Sequence, residues 1–115
     1  MSDVVIYYNP KCGTCQKVLA ILEAKKLHPK KVEYLKTPPT VDELDAILRK
    51  LNLPPEGLVR KKEPLYAEKI AGRSFSRDKW LELFRTHPIL MERPVVVIGD
   101  RAIIARPPEK VHDIL

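Results

Sequence analysis

Residues 7–22 read YYNPKCGTCQKVLAIL, and the fold follows from how this stretch divides. Val4 to Tyr8, which leads into it, is a β-branched and aromatic run with no polar alternation, as in a strand buried on both faces. A central parallel strand is therefore expected. Asn9-Pro10 breaks the run, and Cys15, Val18, Leu19 and Leu22 then recur at i, i+3, i+4 and i+7, one face of a helix. The spacing predicts a helix from about Gly13 to Lys26, with Lys25 and Lys26 near the end where the helix dipole favours cations. Cys12 falls at the helix N-terminus, where unpaired N–H groups and the dipole stabilise a thiolate, the nucleophilic form of cysteine. Cys15 lies one turn on. It is placed to attack a sulfur adduct on Cys12, since a disulfide needs Cα atoms only about 4 to 6 Å apart. The same position also reads as a small buried hydrophobe, and periodicity does not separate the two readings.

Downstream, His28-Pro29 ends the helix, and Val32 to Leu35 is a second short strand that completes a βαβ unit. Pro38-Pro39 breaks the chain again. Thr40-Val41-Asp42-Glu43 is a capping box, Thr at the N-cap and Glu at N3, ahead of a second helix with Leu44, Ile47, Leu48 and Leu51 on one face. A loop at Pro54-Pro55 and Gly57 carries Arg60 out towards Glu63-Pro64, which opens a short helix through Ala71, stopped by Gly72. Ser76 is the next N-cap, with Phe75 and Trp80 spaced as a hydrophobic staple, so Arg77 to Thr86 is a third long helix. His87-Pro88 closes it. Val95 to Ile98 and Arg101 to Ala105 flank the dipeptide Gly99-Asp100 as a hairpin, and Pro107-Pro108 starts a final helix to Leu115. The expected architecture is α/β: a small mixed four-stranded sheet with flanking helices and a helical insertion between a βαβ and a ββα half, in one domain over residues 1–115.

Composition narrows the function. A chain of 115 residues buries about 65% of its unfolded surface and needs no metal or disulfide staple. No apolar run approaches the roughly 18 residues that span a bilayer, and no basic segment or cleavage pattern marks a leader, so a reducing cytoplasm and no membrane partner are expected. Two cysteines three residues apart close almost no chain entropy, which suits redox chemistry better than stapling. The net charge of +6 is spread along the chain in doublets such as Lys25-Lys26 and Lys61-Lys62, so nucleic-acid binding is not expected. A site for a small oxyanion uses that charge more economically. The helix N-terminus at Gly13 and Thr14 offers N–H groups to an anion, and Arg60, Arg93 and Arg106, each singled out by context, offer planar donor forks. His28, His87 and His112 lack ligand spacing, so no metal is expected.

The stretches YYNPKCGTC at 7–15, YLKTPPTVDEL at 34–44, LVRKKEP at 58–64, HPILMERPVVV at 87–97 and ARPPEKVHDIL at 105–115 together resemble the glutaredoxin-linked arsenate reductases of the thioredoxin superfamily. The resemblance implies a thioredoxin-like core. It also implies that Cys12 attacks arsenate, that Arg60, Arg93 and Arg106 hold the anion, that Asn9 shapes the loop, and that Pro94 is a cis-proline facing it. No bound cofactor is implied. Glutathione is implied as co-substrate, with glutaredoxin or, through Cys15, thioredoxin as partner. Tyr8 stands where many members carry a histidine thought to activate the cysteine, leaving that work to the helix and the arginines. Cys15 replaces the usual serine and offers an internal disulfide, and longer members continue past the position of Leu115. The cysteine pair also resembles that of the Spx-type regulators, which use it as a redox switch and bind RNA polymerase. A general thiol-disulfide oxidoreductase is a third reading. The match at all three arginines favours the arsenate enzyme.

Overall fold

The computed structural model describes residues 3–115. Strand β1 (Val4–Tyr8) is followed by helix α1 (Gly13–Ala24), strand β2 (Lys30–Glu33), helix α2 (Val41–Leu51), the short helix α3 (Pro64–Lys69), helix α4 (Arg77–Thr86) and a hairpin of β3 (Val95–Ile98) and β4 (Arg101–Ile104). A 3₁₀ helix at Pro108–Ile114 follows the hairpin. The sheet order is β2-β1-β3-β4, with β1 parallel to β2 and antiparallel to β3. This is the mixed four-stranded sheet with helices on both faces that the sequence pattern predicts, and β1 is one of its two central strands.

Strand alternation divides the core. Val4 and Ile6 of β1 and Val96 of β3 pack with Val18, Leu19 and Leu22 of α1 and with Val111 and Ile114. Tyr7, Val95 and Val97 face the other way, against Leu44, Ile47 and Leu48 of α2 and Trp80, Leu81 and Phe84 of α4. Each such side chain contributes about 1.5–3 kcal/mol by leaving water, so both faces need their helices. The capping box is complete: Glu43 N–H donates to Thr40 Oγ1 at 3.1 Å and Thr40 N–H to Glu43 Oε1 at 3.1 Å. The staple on α4 is an edge-to-face contact, with the Phe75 and Trp80 rings 5.5 Å apart.

Several elements differ from the expected ones. Helix α3 ends at Lys69 rather than Ala71, with the N–H groups of Ile70 and Ala71 both donating to Tyr66 O at 2.9 Å, and β4 ends at Ile104 rather than Ala105. Strand β2 lies two residues earlier than Val32 to Leu35, because its register pairs Val5 with Lys30 and Tyr8 with Glu33. Exposed Lys30 and Lys31 hide the strand from an apolar reading and protect a sheet edge from pairing with other chains. Helix α1 stops at Ala24 rather than Lys26. Lys26 N–H donates to Glu23 O at 2.9 Å and Leu27 N–H to Leu22 O at 3.0 Å, and Lys26 itself takes a left-handed φ of 60°. This is a Schellman stop with lysine where glycine is commonest, so its usual signal is missing. The C-terminal segment is a 3₁₀ helix rather than an α-helix. Its buried residues, Val111 and Ile114, are spaced by three, which is the 3₁₀ repeat.

Candidate active site

The loop between β1 and α1 is built by its own polar atoms. Lys11 N–H donates to Asn9 Oδ1 at 3.0 Å and Cys12 N–H to Asn9 O at 2.9 Å, so Asn9 folds the chain back and delivers Cys12 to the N-cap of α1. Gln16 Nε2 donates to Pro10 O at 2.8 Å and ties the loop to the first helical turn. Cys12 caps the helix in extended conformation with no side-chain capping bond. At Gly13 a Cβ would meet nothing within 4 Å, so that flank of the helix start is open.

The two thiols are driven apart in acidity. Burial opposes the Cys12 thiolate, but the neighbouring Cys15 backbone and thiol, the Arg106 guanidinium and the charge on Arg93 together outweigh it and lower the pKa to about 7. Arg106 Nη1 lies 3.8 Å from Cys12 Sγ and donates to Arg93 O at 3.1 Å. Cys15 is fully buried, and burial with the neighbouring Cys12 thiolate pushes its thiol up to about 12. The pair is therefore a poised nucleophile beside a neutral thiol, the asymmetry a dithiol needs if only one sulfur is to attack.

The arginines come from three segments. Arg60 N–H donates to Leu90 O at 2.7 Å and Glu92 N–H to Leu58 O at 2.7 Å, around an isolated bridge between Val59 and Met91. This pairing sets Arg60 beside Glu92 and Arg93, more than thirty positions away in sequence. Ala105 N–H donates to Pro94 O at 3.0 Å and holds the end of the hairpin, and with it Arg106, over the same place. Arg60, Lys61, Lys62, Glu92, Arg93 and Arg106 line one cavity of about 330 Å³. Arg93 Nε is buried with no hydrogen-bond partner, an arrangement that an anion's oxygen would complete. The Arg93-Pro94 bond is cis, as the resemblance implies, and so is Arg106-Pro107, for which the sequence carried no signal.

Cys12, Cys15, Arg93 and Arg106 are thus brought together, Arg60 joins them across the cavity, and Gly13 and Thr14 stand at the helix start beside Cys12. Arg106 does more than line the cavity, since it also touches the sulfur. Sequence reasoning missed Gln16, Glu63, Glu92 and Tyr34. Glu63 Oε2 lies 3.5 Å from Arg60 Nη1 and Glu92 Oε1 3.9 Å from Arg60 Nε. Glu63, three residues after Arg60, could have been found by spacing, whereas Glu92 depends on the long-range bridge. Tyr34 is fully buried, and its phenol, raised to about 12 by burial, lies close enough to Arg93, Arg60 and both cysteines to feel their charges.

A family model for the ArsC family matches residues 7–114. The arsenate reductase of Escherichia coli is 36% identical over 116 residues, spanning all of this chain and 82% of its own length. That of Neisseria meningitidis is 34% identical over 117 residues, with both chains fully covered. Among solved structures, an arsenate reductase from Vibrio cholerae superposes with a TM-score of 0.94 at 41% identity, covering 99% of this chain and 98% of that one. With the family model spanning the Cys12 loop, all three arginines and the hairpin, the chain belongs to the ArsC family.

Proposed function

We propose that the protein reduces arsenate to arsenite, with Cys12 as nucleophile and Arg60, Arg93 and Arg106 as the oxyanion site. The observation that carries this reading is the contact of Arg106 with Cys12 Sγ at 3.8 Å, because the same guanidinium lines the arginine-rich cavity. One residue thereby links the thiolate to the place where an anion binds. Full-length similarity to proteins named arsenate reductase supports the substrate.

In this reading the Cys12 thiolate attacks arsenic(V). A sulfur-arsenic bond forms and an arsenate hydroxyl leaves as water after taking up a proton. The arginines hold the remaining oxygens and offset their charge, and they donate in fixed forks that fit a tetrahedral anion. A second thiol then attacks Cys12 Sγ. The sulfur-sulfur bond forms as the sulfur-arsenic bond breaks, its electron pair passes to arsenic, and arsenite departs. Glutathione can supply that thiol, leaving a mixed disulfide for glutaredoxin to reduce. Cys15, buried directly beside Cys12, can supply it instead, leaving an internal disulfide for thioredoxin. No helix among the described residues is long and apolar enough to cross a membrane.

The test is arsenite formation by purified wild-type protein and by Cys12→Ser, with thiol reductant present. Wild-type turnover with none in the variant is expected. Arsenite production by Cys12→Ser at the wild-type rate would overturn the mechanism.

A further inference from the structure

We propose that Glu92 decides which tetrahedral oxyanions the cavity accepts, admitting those that carry a hydroxyl and rejecting those that carry none. The inference rests on the arsenate reading of the site and deepens it. It starts from the donor and acceptor inventory of the cavity wall. The arginines and lysines there, Arg60, Lys61, Lys62, Arg93 and Arg106, can only donate hydrogen bonds. Such a wall attracts any oxyanion of sufficient charge and does not sense whether the anion bears a proton. Among the side chains that line the cavity, Glu92 alone accepts.

Glu92 is also held in place. Its backbone N–H is fixed on Leu58 O at 2.7 Å, in the pairing that aligns Arg60, and its carboxylate lies 3.9 Å from Arg60 Nε. That separation is too long for a tight hydrogen-bonded ion pair, and the side chain is 29% exposed, so the carboxylate retains unused acceptor capacity. Arg60 meanwhile has a second carboxylate, Glu63, at 3.5 Å. Arg60 therefore has a carboxylate neighbour besides Glu92, and Glu63 lies outside the cavity wall. A purely attractive anion site would not place a carboxylate in its wall.

The chemistry of the anions completes the argument. At neutral pH arsenate and phosphate keep at least one hydroxyl, which can donate to Glu92 while the other oxygens accept from the arginines. Sulfate has no proton to give. Its oxygens would face the carboxylate directly, a like-charge contact in a partly buried place where repulsion is weakly screened. Glu92 thus turns a general anion site into one selective for protonated tetrahedral anions. Separating arsenate from phosphate is left to the sulfur-arsenic chemistry of Cys12.

The experiment measures protection of Cys12 from iodoacetamide by sodium phosphate and by sodium sulfate, at matched ionic strength, in wild type, Glu92→Gln and Glu63→Gln. In wild type, phosphate should protect at a concentration at least about tenfold below sulfate. Glutamine removes the charge and adds an N–H donor, so in Glu92→Gln the gap should close to within about threefold. Glu63→Gln should keep the wild-type gap. Glu92→Asn serves the same purpose if the glutamine variant does not fold. An unchanged gap in the Glu92 variants, or no gap in wild type, overturns the inference. Arsenate turnover measured in parallel separates the two claims: turnover without discrimination removes the role of Glu92 alone, whereas no protection and no turnover removes the arsenate site itself.

Discussion

Replacing Arg106 with alanine should change the reactivity of Cys12 in a manner that depends on pH. Arg106 Nη1 is 3.8 Å from Sγ, and its hydrogen bond is one of the interactions holding the thiol at about 7. Losing one cationic donor at this distance from a partly exposed sulfur should raise the pKa by about one unit. At about pH 7 the thiolate fraction then falls from about one half to about one tenth. A more basic thiolate is also a better nucleophile, by about 2.5- to 3-fold per unit on a Brønsted slope of about 0.4–0.5. The two effects oppose each other. Alkylation should be about threefold slower than wild type near pH 6, about twofold slower near pH 7, and up to about threefold faster on the high-pH plateau. The assay is the rate of iodoacetamide labelling of Cys12 as a function of pH, read by mass spectrometry; buried Cys15, with its thiol at about 12, does not compete. Curves for wild type and Arg106→Ala should cross. A variant profile that superposes on wild type, or one lower at every pH with the same midpoint, would refute the role given to this contact.

Cys15→Ser should retain arsenate turnover with glutathione and glutaredoxin and lose most of it with thioredoxin as sole reductant, because serine cannot form a disulfide. Equal loss in both assays would make Cys15 obligatory in every cycle. Lys26→Gly, at the left-handed stop of α1 with φ of 60°, should raise stability to urea by about 0.5–1 kcal/mol, since glycine adopts that conformation without a Cβ penalty. A lower urea midpoint would show that the lysine side chain contributes more there than its backbone conformation costs.

Most of the fold is legible because local chemistry announces it. The break at Asn9-Pro10, the Thr40 to Glu43 capping box, the Phe75-Trp80 staple and the Gly99-Asp100 turn each fix an element boundary by short-range contacts, and the structure keeps all four. The misplaced boundaries lack such a signal. Lys30 and Lys31 sit in an edge strand, Lys26 stands where glycine would mark a stop, and the segment from Pro108 packs with a repeat of three. The site divides along the same line. Cys12, Cys15 and the helix start lie within a few residues of one another and are read directly, and the arginines are singled out by context and supported by the resemblance. The environment of the arginines is set by the pairing of 58–60 with 90–92, an isolated bridge between distant segments with no periodic pattern of its own. Glu92 therefore enters the cavity without any local sequence signal.

The most direct test of the central claim is arsenate-dependent oxidation of NADPH by the purified protein, run in parallel with glutathione, glutaredoxin and glutathione reductase and with thioredoxin and thioredoxin reductase. The account predicts turnover that needs arsenate, saturates with it and disappears in Cys12→Ser, in at least one of the two systems. Absence of arsenate-dependent oxidation in both, while Cys12 and Cys15 still cycle reversibly to a disulfide, would contradict the enzyme and make the pair a redox switch.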